Sequence, residues 1–280
     1  MRWPILRHEL VKCLTGKWFA LSMAIAVFLA VGAAIESSRY VMNVLVPFGR
    51  FSTNMSAFSN WMVPNCNASL FASIFFYVTP LLACIPSATQ LLTERRSGYE
   101  MQLALRVEAR ARMVARAAVA FLSAALIMTV ALLSNLIVLC CVMPAVTPIV
   151  EEWFILGIFY DCLFSELFYT QPLAYVIAYT ALDALIAGVW SVFVFSLSRV
   201  LRNRALLLTL PYFLLLVWQY MTKELIRTFH VIGFSVNIID DMQGTFYVAK
   251  SDWLSIAAQL TLLLLIAALL VRGLAREEVL

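Results

Sequence analysis

The chain has 280 residues, of which 63% are hydrophobic and 13% charged, and its mean hydropathy is +0.91. A soluble domain does not bury so much apolar surface, so the composition excludes an ordinary soluble protein and predicts one membrane domain over residues 1–280. The net charge of +4 does not indicate a nucleic-acid partner. In a membrane protein the distribution of charge along the chain is more informative than its sum.

A basic leader occupies residues 1–17. Its apolar side chains recur at helical spacing, while the basic ones fall mostly on other faces, so we expect an amphipathic helix in the inner membrane interface. The apolar positions are Trp3, Leu6, Leu10 and Leu14. Residues 31–34 read Val-Gly-Ala-Ala, like a signal-peptidase site, but the charged lead-in is long for a signal peptide. We therefore expect the first span to be retained.

Six apolar runs are long enough to cross a bilayer, which takes roughly 20 helical residues. Each run is predicted to be a helix, because lipid cannot satisfy an open strand. The six predicted spans are about 18–35, 70–92, 117–143, 173–198, 205–221 and 254–271. The fold class is therefore an all-α integral membrane protein with six transmembrane helices. Pro80 and Pro86 predict a kink in the second span.

The Lys and Arg residues fall unequally on the two sides of this map. One side carries fifteen of them, in residues 1–17, 93–116, 199–204 and the tail after 271, and the other side carries five. The positive-inside rule then places both termini in the cytoplasm. The extracytoplasmic loops are 36–69, 144–172 and 222–253.

An aromatic run at 153–169 is long enough to be considered as a seventh span. It contains Asp161 and Glu166, and a further crossing would move Arg199, Arg202 and Arg204 to the outside. An interfacial helix on the outer face is therefore expected instead.

The cytoplasmic segment 93–116 is dense in charge and has apolar anchor points at Met101, Leu103, Leu105 and Val107. Thr93 and Glu94 suit the N-terminus of a helix. A short helix of this kind can press on a soluble partner. The alternative is a solvated loop that serves only the positive-inside rule.

This segment resembles the permease subunits of type-2 ATP-binding-cassette exporters. The resemblance rests on Glu94-Arg95-Arg96-Ser97-Gly98-Tyr99, followed by Leu105-Arg106 and a basic run into the third span, together with the charged leader and six spans. It implies that two permease copies, identical or homologous, form the substrate path, and that separate ATPase subunits carry ATP and Mg²⁺. The implied coupling residues are Glu94, Arg95, Arg96, Gly98, Tyr99, Leu105 and Arg106. The expected cargo is an amphiphilic peptide or drug, and the expected location is the bacterial cytoplasmic membrane.

The same family implies an outward segment before the last span that returns toward the membrane. Residues 225–236 are the candidate, because they are largely apolar and Gly233 allows a break. The alternative is an amphipathic surface loop.

Asp183 is the one carboxylate deep inside a predicted span, so it is either part of a substrate or proton path or a hydrogen-bonded helix-packing group. Asn135, Gln219 and Gln259 are the conceivable partners. If Asp183 carried a coupled proton, the chain would be a secondary transporter. That rival lacks the internal repeats and paired intramembrane charges of such carriers.

The sequence contains no phosphate loop, HExxH or GxSxG motif, so we expect no enzyme activity, no bound cofactor and no metal site in this chain. A membrane enzyme with an outer cation site is a further rival, and its acids would be Asp161, Glu166, Asp240 and Asp241. A non-transporting assembly or sensor subunit is another. Cys66 and Cys162 are the two cysteines able to meet outside the membrane, and sequence spacing does not decide whether they pair.

Overall fold

A computed structural model describes residues 3–45, 55–64, 69–97, 109–150, 158, 162–198, 200–201, 203–229, 233–244 and 249–277. Nearly all of these residues are helical, apart from loops and one two-residue parallel pairing of Gly233–Phe234 (β1) with Ala249–Lys250 (β2). The helices, in chain order, are α1 Trp3–Leu14, α2 Lys17–Tyr40, α3 Leu70–Ser97, α4 Ala109–Val142, α5 Ser165–Thr170, α6 Pro172–Leu197, α7 Arg204–Phe229, α8 Ile238–Asp241 and α9 Trp253–Glu277. A π-helical turn, Val41–Leu45, extends α2.

Within the described residues, six helices are long and apolar enough to span a membrane, and they correspond one to one with the predicted spans. They lie in α2, α3, α4, α6, α7 and α9. The protein is therefore a multi-pass membrane protein. In the run 153–169 the described helix is α5, which has only 6 residues.

The central helix of the bundle is α6, which packs against α3, α4 and α9. In its most apolar stretch 67% of the residues are buried, against 22% in that of α7 and 17% in that of α9. Helices α2, α3, α4 and α6 thus form the core, while α7 lies on α3 and α9 lies on α6. Most of the surface of α7 and α9 is left for lipid or for another chain.

Helix α3 is continuous through both of its prolines. Trp190 Nε1 of α6 donates to the Pro80 carbonyl at 3.0 Å, and Ser191 Oγ donates to the Ala83 carbonyl at 3.2 Å. Side chains of α6 therefore hydrogen-bond to the backbone of α3 beside its prolines and join the two helices.

An even number of spans brings α1 and the described end of α9 to the same side of the bundle. We call this side the termini end; it also carries the last turn of α3 and the first turns of α4 and α7. The opposite side, with the first turn of α6 and the loops before α5 and α9, is the loop end.

Candidate functional site

The predicted coupling residues lie at the termini end. The backbone of Glu94, Arg95 and Arg96 forms the last turns of α3, so these residues continue a helix and do not begin a new one. Gly98, Tyr99, Leu105 and Arg106 lie outside the described residues, as do the apolar anchors between them.

The rest of the predicted coupling segment, from Ala109 onward, belongs to α4. It includes Arg112 and Arg116, which are 0% and 5% exposed. These arginines are therefore buried at the start of a helix that continues into the third span. The reason is that α1 covers the start of α4.

The leader forms a helix, as predicted, but its buried face includes an acid. Glu9 is 1% exposed, and its carboxylate lies 3.9 Å from the Arg116 guanidinium. We call this contact the termini-end ion pair. Leu6 and Cys13 lie on the same face and pack against Val119 of α4. Arg7 and His8 are exposed, as the predicted amphipathic pattern requires.

Burial has a chemical consequence for Cys13, which is 3% exposed. Burial, assisted by the nearby charge of Glu9, raises the pKa of the Cys13 thiol to about 11, against a smaller lowering by a hydrogen bond to Ser123. The thiolate is the nucleophilic form of cysteine, so Cys13 is unreactive while α1 stays docked.

At the loop end, residues 233–244 return alongside α7, and we call them the re-entrant segment. Asn237 Nδ2 donates to the Leu215 carbonyl at 3.3 Å, and Trp218 Nε1 donates to the Val236 carbonyl at 2.9 Å. Leu215 lies roughly 20 Å back along α7 from Phe229 at 1.5 Å per residue. Leu215 belongs to an apolar span, so the segment folds back alongside that span.

The position of this segment differs from the prediction. Residues 225–229 continue α7, and the next three lie outside the described residues, so the return begins at Gly233. Of the candidate 225–236, residues 225–229 therefore belong to α7 and residues 233–236 to the return, which continues to Gly244 within the predicted loop 222–253. Asn237 makes the return possible, because its Oδ1 accepts from Ile239 N at 2.8 Å and caps α8.

A second inserted stretch, residues 55–64, was predicted as part of an outer loop; we call it the plug segment. Trp61 is fully buried, and its Nε1 donates to the Leu132 carbonyl of α4 at 3.2 Å. Leu132 lies roughly 15 Å inside α4, counted from Val142. The plug and re-entrant segments meet where Gly244 N donates to the Val63 carbonyl at 3.2 Å.

Asn135 joins the plug segment to two helices. Its Nδ2 donates to the Ala30 carbonyl of α2 at 2.7 Å, and its Oδ1 accepts from Met62 N at 3.2 Å. It is fully buried. Asn135 therefore acts in helix packing, one of its two predicted roles, and its hydrogen bonds do not involve Asp183.

Asp183 lies in the buried centre of α6 and is 0% exposed. Among the described residues, neither of its carboxylate oxygens has a hydrogen-bond partner. The charge that acts on it belongs to Asp241, the last residue of α8. We call Asp183 and Asp241 the loop-end acid pair.

Asp241 is 1% exposed, and α9 helps to hold it in place. Gln259 Nε2 donates to Asp241 Oδ2 at 2.8 Å. Burial raises the pKa of the Asp241 carboxyl to about 6, although contacts with Ser235, Ser251 and Gln259 lower it, and the neighbouring charge of Asp240 raises it further. Asp241 thus titrates closer to neutrality than an ordinary aspartate.

Asp240 has both a hydrogen-bond partner and an ion-pair partner. Gln219 Nε2 donates to its Oδ1 at 2.7 Å, and the Lys223 ammonium lies 3.0 Å from the same oxygen. Both partners are on α7. Gln219 therefore binds Asp240, and Gln259 binds Asp241. We had expected these two glutamines as partners of Asp183, and neither of them hydrogen-bonds to it.

The rival cation site is not assembled by the part of the chain that the structure describes. Asp161 lies outside that part, and Glu166 is exposed on α5. A search of the described residues finds no group of three or more His, Cys, Asp or Glu side chains able to hold a metal ion. Cys66 also lies outside the described residues, so its pairing with Cys162 stays a prediction.

An apolar groove of about 430 Å³ lies between α6, α7 and α9. On the α7 side, the exposed residues Leu214 and Trp218 border it. Its lining includes Trp190, Leu197, Leu210, Leu214, Trp218 and Leu263. An apolar body such as an acyl chain or an aromatic ring fits such a lining.

Compared with known proteins, the sequence matches no family model, and it matches no curated protein. The arrangement of the helices, segments and buried charges therefore carries the functional argument alone.

Proposed function

We propose that this chain is the membrane-spanning permease subunit of an ATP-binding-cassette exporter in the bacterial cytoplasmic membrane. Two copies, or one copy and a homologue, form the substrate path. ATP and Mg²⁺ bind to separate ATPase subunits that dock on the termini end. The chain itself makes no chemical bond to substrate and is not an enzyme.

The observation that carries the proposal is the length of α3. Its apolar run ends at about Leu92 in the sequence, but the helix continues to Ser97. This added turn extends roughly 8 Å. It carries Glu94, Arg95 and Arg96, the first residues of the family-like pattern, beyond the membrane on a rigid helix. A rigid extension can transmit a push from a soluble partner to the bundle.

The leader supports the same reading. Helix α1 contacts α2, α3 and α4, so it lies across the termini end and not apart from it. Its exposed Arg7 and His8 suit the headgroup region of an inner leaflet. The excess of Lys and Arg at this end supports a cytoplasmic orientation for both termini.

The groove between α6, α7 and α9 supports an amphiphilic cargo. It is apolar, it opens toward the membrane, and it ends near the re-entrant segment at Trp218. A peptide or drug with an apolar body could enter it from the bilayer.

The experiment that tests the proposal is affinity purification of the tagged chain from its native membranes, followed by mass spectrometry and an ATPase assay. We expect a stoichiometric nucleotide-binding subunit. The combined variant Glu94→Ala, Arg95→Ala and Arg96→Ala should lose it. The matched control, Arg7→Ala with Arg272→Ala, removes two exposed arginines from the same end and should keep it.

Recovery of a folded chain without any ATP-hydrolysing partner would refute the proposal. The rival secondary transporter would then be tested by proton-coupled uptake into vesicles without ATP. Loss of that uptake in Asp183→Asn would establish the rival.

A further inference from the structure

The loop end contains a buried acid whose charge is not compensated by the described residues around it. Asp183 is fully enclosed in α6, the most buried helix of the bundle. Its two oxygens accept no hydrogen bond from the described residues. An ionised carboxylate without donors is costly to bury, so the group must be neutralised or bound by something small.

In the part of the chain that the structure describes, the ionisable groups on the neighbouring elements do not neutralise it. On α7, Lys223 is bound to Asp240 at 3.0 Å, and Tyr212 interacts with Tyr77 of α3. On α4, Arg112 and Arg116 belong to the termini end. Asp252 directly precedes α9. On α6 itself, Tyr175 faces the plug segment, and Tyr179 faces the residue just before α5.

The re-entrant segment adds a second acid instead of a cation. Asp241 is fixed by Gln259 at 2.8 Å, and three residues later Gly244 lies against Tyr179, one helical turn before Asp183 on α6. Two like charges buried near each other repel, and the simplest relief is that the pair retains a proton. A proton also needs no cavity, which agrees with the complete enclosure of Asp183.

We propose that Asp183 and Asp241 form a buried proton-binding site that retains one proton at neutral pH. The re-entrant segment is part of this site, because it supplies Asp241. Holding the segment against the bundle is therefore coupled to proton uptake. The proposal does not rest on the exporter function and applies equally to a carrier or a sensor subunit.

The test is an infrared pH titration of the purified chain in lipid nanodiscs, compared among the wild type, Asp183→Asn, Asp241→Asn and Glu166→Gln. Asn resembles a protonated carboxyl in shape and polarity, so the two pair variants should fold. Glu166 is an exposed acid at the same end and serves as the matched control. We expect a protonated-carboxyl stretching band at neutral pH in the wild type and in Glu166→Gln, and loss of that band in Asp183→Asn.

A second readout keeps the test valid if a variant folds poorly. Melting temperature is measured across the acidic-to-neutral range in sodium chloride and in choline chloride. The proposal predicts that the wild type loses stability as pH rises, equally in both salts, and that Asp183→Asn loses less. Absence of the band in the wild type at neutral pH, or its persistence in Asp183→Asn, would overturn the proposal. Stabilisation by sodium but not by choline would overturn it in favour of a sodium site.

Discussion

At the termini end, Glu9 lies 3.9 Å from Arg116, so the buried acid has a basic partner. At the loop end, Asp183 and Asp241 are two buried acids whose charges repel, and the nearby Lys223 is bound to a third acid, Asp240. Among the described residues, Glu9 at the termini end has a basic partner, whereas Asp183 at the loop end has none.

The difference separates two physical roles. A buried pair of opposite charge is strongly destabilised when one partner is removed, so it fixes the position of α1 on α4. A buried pair of like charge changes its energy with protonation, so it responds to pH. The termini end is therefore suited to fixed mechanical contact and the loop end to a titratable one.

The largest expected effect comes from breaking the termini-end ion pair. Glu9→Gln keeps the side-chain volume but leaves a buried guanidinium without its acid, and such a change costs about 3 kcal/mol or more. Helix α1 should then detach, which exposes Cys13. The measurement is alkylation of Cys13 by a membrane-permeant maleimide, read by mass spectrometry of peptides, together with the melting temperature.

Two controls sharpen this result. Glu166→Gln removes an exposed acid and should change stability by less than about 0.5 kcal/mol. The exchange Glu9→Arg with Arg116→Glu should recover part of the protection of Cys13. Equal protection of Cys13 in the wild type and in Glu9→Gln would show that the ion pair does not hold α1.

The pH dependence of stability should come from the loop end. Asp241 has a pKa of about 6 in the folded protein, above its ordinary value of 3.8, so the folded state binds more protons between these values. The contribution of Asp241 to stability is therefore highest on the acidic side, falls as pH rises from about 4 to about 6, and is constant above that range. A shift of this size corresponds to about 3 kcal/mol.

Gln259→Leu should increase that dependence. The Gln259 amide lies 2.8 Å from Asp241 and favours its ionised form. Removing this donor raises the pKa of Asp241, so the loss of stability extends above pH 6. Melting curves in a pH series measure the change. A curve that superimposes on that of the wild type would contradict the assignment of the dependence to Asp241.

A smaller effect is expected where the two inserted segments meet. A Cβ added at Gly244 would lie 2.5 Å from Tyr175 Oη and 3.1 Å from Val63 Cγ1. Both neighbours are buried, so Gly244→Ala should destabilise the loop end by about 1–3 kcal/mol. Differential scanning calorimetry measures the loss. Gly273→Ala in α9 is the control, where alanine favours the helix and should be neutral or stabilising.

The smallest effect on stability, but a large one on transport, is expected in the groove. Leu214→Trp places a bulky ring in its lining, whereas Leu206→Trp makes the same change on an exposed part of α7 that does not line it. Export of an amphiphilic peptide or drug from cells should fall with the first variant only. Equal export by both variants would exclude the groove as the cargo path.

The six spans could be predicted because an apolar run bounded by charge is a local signal. The ends of these helices could not be predicted, because charged residues near the ends contact other parts of the fold. Helix α2 passes Glu36, whose carboxylate accepts from Ser69 Oγ at 2.6 Å and Phe71 N at 3.3 Å at the start of α3. Helix α4 starts before Arg112 and Arg116 because α1 covers them.

The candidate site was less accessible to sequence reasoning. Asp183 stood out as a lone acid in an apolar run, but Asp241 was indistinguishable from other outer acids. Only the return of the chain from Gly233 brings it to α6. The plug segment gave a weak signal, since Trp61, Met62 and Val63 form a short apolar run without periodicity.

The measurement that tests the account most directly is recovery of the ATPase partner from native membranes by three tagged chains: the wild type, Glu9→Gln and Asp183→Asn. The account predicts that the wild type and Asp183→Asn retain a stoichiometric ATPase, because the loop end does not contact it, and that Glu9→Gln loses it. Recovery of no ATPase by any folded chain, or its loss with Asp183→Asn alone, would contradict the assignment of coupling to the termini end.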